Sequence, residues 1–123
     1  MPELSVILPC FRAAALARRS AERLSAYLAE LRLSWEVIVV DDGGGDFPPA
    51  PFDGLQRVRL LALSHNRGKG AAVRAGMLAA TGDVRIFTDI DLPYDLDLIP
   101  TISAIIRERG FHVVIGDRSL PES

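Results

Sequence analysis

Short apolar runs of strand length alternate with segments of helical period along this chain, and that alternation leaves few folds open to it. Leu4-Ser5-Val6-Ile7-Leu8 is an apolar run ending at Pro9, which predicts a buried strand with a stop. Over residues 13–31, Leu16, Leu24, Tyr27, Leu28 and Leu31 recur at helical spacing, and the arginines between them read as a solvated face. Further strands are expected over residues 35–40, 58–63, 84–88 and 111–115. Helices are expected over 70–80 and 100–109, the latter starting near Asp97 so that Pro100 falls in its first turn. Residues 41–56 hold Gly43-Gly44-Gly45 and three prolines without a clear period, so the second and third strands are joined by a loop. The pattern is that of an α/β domain, a mostly parallel sheet with helices on both faces.

With 123 residues there is room for one domain and one core, over residues 1–123. A net charge of −2 and no basic stripe argue against a nucleic-acid partner. Cys10 is the single cysteine, so no internal disulfide ties the fold to an oxidising compartment. The N-terminus lacks signal-peptide character and no apolar run approaches the ~20 residues that span a bilayer. A cytoplasmic domain is expected, with any membrane anchor outside these residues.

In open parallel sheets ligands bind beyond the carboxyl ends of the strands, where strand order reverses. The unusual polar residues gather at those ends. Pro9-Cys10-Phe11-Arg12 follows the first strand and Asp41-Asp42-Gly43 the second. Asp89-Ile90-Asp91 follows the fourth, and Gly116-Asp117-Arg118 the fifth. In an extended segment Asp89 and Asp91 point the same way, so both carboxylates can address one hard cation, Mg²⁺ or Mn²⁺. The alternative is a turn with solvated aspartates. Asp41-Asp42 is either a loop entry accepting backbone hydrogen bonds or a site for nucleoside N–H and hydroxyl groups. Asn66-Arg67-Gly68-Lys69-Gly70 opens the second helix as a phosphate loop or a tight turn, and matches neither a Walker A nor a dinucleotide fingerprint. His65 and His112 lack metal-ligand spacing. Trp35 is expected to pack against a helix, and nothing marks Cys10 as a nucleophile.

Taken in order, these residues resemble family 2 glycosyltransferases of the GT-A fold, and among them the dolichyl-phosphate or polyprenyl-phosphate hexose synthases. Ser5-Val6-Ile7-Leu8-Pro9 comes first, then Glu36-Val37-Ile38-Val39-Val40-Asp41-Asp42-Gly43. Asn66-Arg67-Gly68-Lys69-Gly70 runs on to Gly76. Ala80-Thr81-Gly82-Asp83, the D-x-D at Asp89 and Asp91, and Val113 to Arg118 follow. The resemblance covers essentially the whole chain.

It implies a metal-dependent, inverting transferase that takes a nucleoside-diphosphate sugar, UDP-glucose ahead of GDP-mannose, with a lipid phosphate or saccharide as acceptor. It also implies roles for single residues. Pro9, Cys10, Phe11 and Arg12, with Asp41, Asp42 and Gly43, would hold the nucleoside. Lys69 would lie near the phosphates. Asp89 and Ile90 would border the nucleotide, Asp89 and Asp91 would bind Mn²⁺ or Mg²⁺, and Arg118 would face a phosphate of donor or acceptor. Where the family commonly shows aromatic-Asn-Glu after the first strand, this chain has Phe11-Arg12-Ala13, a departure at the base-recognition position. The acceptor half and its catalytic base are expected beyond the Gly116-Asp117-Arg118 motif, so the chain alone is expected to bind donor without transferring sugar. An exposed sheet edge would then favour self-association. Two rivals stand beside this reading: a non-catalytic nucleotide-binding module, and a haloacid-dehalogenase-like phosphohydrolase with Asp89 as nucleophile.

Overall fold

The structure, a computed structural model, describes residues 2–93, 95–109 and 113–114. The elements run β1 (Leu4–Cys10), α1 (Ala14–Leu28), β2 (Trp35–Asp41), β3 (Val58–Ala62), α2 (Lys69–Ala79), β4 (Val84–Phe87), α3 (Leu98–Arg109) and β5 (Val113–Val114). All strand pairs are parallel, in the order β3-β2-β1-β4-β5. The chain starts in the middle of the sheet, moves outward to β3, then returns to the other side of β1. The reversal of direction lies between β1 and β4, and the ends of those two strands therefore flank a natural crevice.

Alternation along the strands divides the core in two. Leu4, Val6 and Leu8 of β1, with Val37 and Val39 of β2, pack against Ala17, Leu24 and Leu28 of α1 and Ile99 and Ile106 of α3. Ile7, Ile38, Val40 and Phe87 face the other way, onto Ala72 of α2 and Ala80. At Gly76, an added Cβ would stand 2.5 Å from Ile7 Cγ2, so the small residue lets α2 sit close on the sheet.

β1 does not stop at Pro9: it runs on to Cys10, with Pro9 opposite Val40 and Cys10 opposite Asp41. Ile7 O accepts from Thr88 N on the β4 side, and Cys10 O accepts from Asp42 N on the β2 side. By that alternation Pro9 faces the β4 side, where pairing ends at Ile7–Phe87, so its missing N–H costs the ladder nothing.

α1 ends at Leu28 rather than at 31. Glu30 N and Leu31 N donate to Tyr27 O and Leu28 O in a closing turn that still packs Leu31 on the core. α3 carries Pro100 in its first turn, where its absent N–H has no intrahelical partner to lose. The 42–57 link holds no helix. Phe47 and Phe52, ring centroids 6.0 Å apart, cover the end of the core that a crossover helix would otherwise cover. Trp35 is buried in the α1 side of the core, with the Arg57 guanidinium 5.5 Å from its ring centroid.

The Ala80-Thr81-Gly82-Asp83 motif sits at the opposite end of the sheet from the crevice. Ser5 Oγ donates to Glu36 Oε2 at 2.6 Å, Thr81 N and Oγ1 donate to the same oxygen, and Gly82 N donates to Ser5 Oγ at 2.8 Å. This network joins β1, β2 and the approach to β4. No helix among the described residues is long and apolar enough to cross a membrane.

Candidate functional site

The crevice between β1 and β4 is a cleft of about 380 Å³. Pro9 and Cys10 of β1 line it with the adjoining Phe11, as do Asp42 just past β2 and Asp89 and Ile90 just past β4. Lys69 completes the set from the first turn of α2, together with Asn66, Gly68 and Ala72. Three of the four expected strand-end clusters thus converge. The fourth, with Arg118, lies outside the described residues, as does His112.

Asp41, the last residue of β2, and Asp42 after it are both buried and both accept backbone N–H groups. Asp41 takes Gly44 N at 2.9 Å and Gly45 N at 3.1 Å, folding the glycine run back on itself. Asp42 takes Arg67 N and Gly68 N, each at 2.9 Å, and so anchors the loop that enters α2. These bonds are those of the loop-entry reading. Asp42 also lines the cleft, whereas Asp41 and Gly43 do not. Gly43 has φ +78°, and a Cβ there would come within 2.2 Å of the His65 carbonyl carbon, so this position can only be glycine while the two loops touch.

Phe11 is exposed at the mouth of the cleft, and the Arg12 guanidinium stands 4.9 Å from its ring centroid. Arg12 has φ +51° and lies beside the cleft rather than in its lining. The Cys10 thiol is pushed up to about 12, by burial first and then by the carboxylates of Asp41, Asp46 and Asp42. It is therefore a neutral thiol at ordinary pH, in keeping with the absence of a nucleophile signature. His65 contacts Ser64 Oγ and accepts from Arg67 Nε, a local contact set with no metal-ligand character.

The acidic segment after β4 is not extended. Leu92 N donates to Asp89 O at 3.0 Å, closing a turn over residues 89–92, and Leu92 adopts φ +48° with its side chain buried. The i, i+2 argument for Asp89 and Asp91 therefore does not hold as stated. The burial of Leu92 bends the chain immediately after the strand and leaves Asp91 exposed while Asp89 lines the cleft. Lys69 Nζ reaches Asp89 Oδ1 at 2.6 Å. Thr88 Oγ1, wholly buried one residue earlier, has no hydrogen-bond partner among the described residues.

Among the described residues no three His, Cys, Asp or Glu side chains come together as a preformed metal cage. The donor set nevertheless fits a hard divalent ion of the kind held by one or two carboxylates plus phosphate oxygens, since Asp89 and Asp91 share one short turn.

Ser20 and Arg23 carry no functional signal in the sequence, yet both bond the backbone of this turn. Ser20 Oγ donates to Ile90 O, and Arg23 Nη1 donates to Leu92 O at 3.2 Å. Arg18 likewise donates to Pro51 O and Asp53 O, so two arginines of α1 fasten loops instead of forming a purely solvated face.

A family model described as "Glycosyl transferase family 2" matches residues 5–122. The chain is 37% identical over 100 residues to a dolichyl-phosphate beta-glucosyltransferase of Drosophila melanogaster, covering 72% of this chain and 31% of that one. It is 30% identical over 122 residues to a dodecaprenyl-phosphate galacturonate synthase of Rhizobium johnstonii, covering 94% and 36%. It spans about a third of the length of these curated relatives. The fold matches Staphylococcus aureus TarS 1–349 with a TM-score of 0.61 at 22% identity, over 88% of this chain and 33% of that one. A second structure of that protein, in complex with UDP-GlcNAc, matches with a TM-score of 0.55.

Proposed function

The chain belongs to glycosyl transferase family 2, and we propose that it supplies the donor side of an inverting sugar transfer from a nucleoside-diphosphate sugar to a polyprenyl-phosphate acceptor. The observation that carries the reading is the convergence of Phe11, Asp42, Lys69 and Asp89 on one cleft at the point where strand order reverses. The names of the relatives support the acceptor class, since they speak of dolichyl and dodecaprenyl phosphates. The TarS complex supports a nucleotide sugar as donor. UDP-glucose is the favoured donor and GDP-mannose the alternative.

In this reading the nucleoside enters beside Phe11, whose exposed ring offers a stacking face, with Pro9, Cys10 and Arg12 around it. Asp42 and Asp41 hold the cleft wall in place by accepting backbone N–H groups, and Gly43 lets the His65–Asn66 backbone approach closely. Lys69 supplies a cationic donor to the diphosphate at the start of α2, where anions are favoured. Asp89 and Asp91, with the Ile90 backbone between them, would hold Mn²⁺ or Mg²⁺. When bound, such an ion offsets the charge that builds on the leaving diphosphate. The acceptor oxygen would approach the anomeric carbon from the face opposite that diphosphate, and Arg118 is assigned to a phosphate of donor or acceptor.

Ligand-observed NMR with UDP, GDP and ADP at equal concentration in Mg²⁺ tests the donor class. Saturation transfer to the base protons of UDP or GDP, and not to ADP, is the expected result. Equal transfer to all three would reduce the site to a general diphosphate cleft.

A further inference from the structure

The acidic turn, closed by its own Leu92 N–Asp89 O bond and bent by the buried Leu92, is also held from outside. Leu92 sits in the left-handed region, which a branched side chain adopts only under outside constraint. Core packing of Leu92 supplies part of that constraint, and α1 supplies a second part. Ser20 and Arg23, one turn apart on that helix, donate to Ile90 O and Leu92 O, the carbonyls on either side of Asp91. Tyr27, next along the same face, reaches past the turn to Asp97 Oδ1 at 2.7 Å. Ser20 is almost wholly buried, so its hydroxyl is committed to this contact.

The two carbonyls are seventy and sixty-nine residues from their donors in sequence, and one of them belongs to a cleft-lining residue. A helix that only covered the core would need no such bonds, because Ala17, Leu24 and Leu28 already perform the packing. The bonds fix where the backbone of the acidic turn stands, and hence where its carboxylates start from.

Resting on the donor-binding reading above, we propose that Ser20 and Arg23 are positioning residues that pre-set the acidic turn for a divalent cation. Neither lines the cleft. Their effect falls mainly on the metal, because apart from Asp89 and Ile90 the cleft is lined from β1, the end of β2 and the start of α2 with the loop before it.

The test measures Mn²⁺ affinity, by the electron paramagnetic resonance signal of free Mn²⁺, at saturating UDP or GDP, whichever the unaltered chain binds more tightly. Nucleotide affinity in EDTA is measured alongside. Ser20→Ala combined with Arg23→Met should lower Mn²⁺ affinity about 10-fold or more, the scale seen for outer-shell partners of metal ligands. Nucleotide affinity in EDTA should change less than about 2-fold on that scale. Arg23→Lys, which keeps a cationic donor, should recover part of the loss, and Tyr27→Phe should leave Mn²⁺ affinity unchanged. A folded double variant with unaltered Mn²⁺ affinity would overturn the positioning role alone. Equal losses of Mn²⁺ affinity and of EDTA nucleotide affinity would also overturn it, by showing a general loosening. Absence of Mn²⁺ binding by the unaltered chain would instead overturn the donor-binding reading, and this proposal with it.

Discussion

Lys69 Nζ lies 2.6 Å from Asp89 Oδ1, so the first residue of α2 and the acidic turn after β4 are joined across the cleft. The same carboxylate is the one assigned to a cation, and the same ammonium is the one assigned to a diphosphate. On that proposal the Lys69–Asp89 pair competes with both ligands, and substituting Lys69 should have two effects of opposite sign.

Lys69→Met removes a competitor from Asp89 and should tighten Mn²⁺ binding without nucleotide by up to about 5-fold, the scale of a partly exposed ion pair worth about 1 kcal/mol. It should weaken binding of the nucleoside diphosphate in Mn²⁺ by roughly 10-fold or more, from loss of a charge-assisted hydrogen bond worth about 1.5–3 kcal/mol. Isothermal titration of each ligand separately reads both. Loss of Mn²⁺ binding in the variant would show that Lys69 supports the cation site rather than competing with it.

Gly43→Ala should be among the costliest small substitutions in the chain. Its φ of +78° and the 2.2 Å approach of a Cβ to the His65 carbonyl carbon act together. Roughly 1–2 kcal/mol of left-handed strain and roughly 1–3 kcal/mol of overpacking are expected. At Gly45, φ is +68° but nothing lies within 4 Å, so Gly45→Ala should cost about the strain alone. Urea unfolding midpoints compare the two. Equal costs would mean that the 65–66 loop is not seated against Gly43.

Stability should fall at both ends of the pH range for identifiable reasons. Burial alone would raise the Glu36 carboxyl, but hydrogen bonds from Ser5 and Thr81 and the charge of Arg59 bring it below its ordinary value of 4.5. A lowered carboxyl stabilises the fold at pH above its unfolded value, and that contribution is lost as pH falls below about 4.5. Cys10 has the opposite sign. Its thiol, ordinarily near 9.0, is raised to about 12, so its contribution is intact below 9.0 and is lost as pH rises from there toward 12. Thermal melts from pH 3 to 11 should show Glu36→Gln flattening the acid limb and Cys10→Ser flattening the alkaline limb. An unchanged acid limb in Glu36→Gln would show that other carboxylates govern acid unfolding.

The strands were legible because each is an apolar run closed by polar residues, and the parity of Ile7, Ile38 and Val40 against Val6, Val37 and Val39 already separates the two faces. Ile38→Ala should accordingly cost about 2–5 kcal/mol in urea unfolding. Pro9 misled because proline ends a strand only if its N–H side is paired, which depends on the neighbour and not on the run itself. Asp89 and Asp91 were legible as a pair, but their geometry was not. The period-two rule assumes extended backbone, and a buried Leu92 bends it. Ser20 and Arg23 were invisible because their partners are backbone carbonyls far along the chain, and such contacts leave no trace in residue type or spacing. Arg118 lies outside the described residues, and its role stays with the resemblance that suggested it.

On the proposed reading, the cleft between β1 and β4 holds a nucleoside diphosphate together with a divalent ion at the acidic turn. Calorimetric titration of the chain with UDP and with GDP, in Mn²⁺ and in EDTA, tests it most directly, with Asp89→Asn run in parallel. One nucleotide should bind in Mn²⁺, and its affinity should fall at least about 10-fold in EDTA and to a similar extent in Asp89→Asn. Equal affinity with and without the metal, or an Asp89→Asn variant that binds as the unaltered chain does, would contradict it.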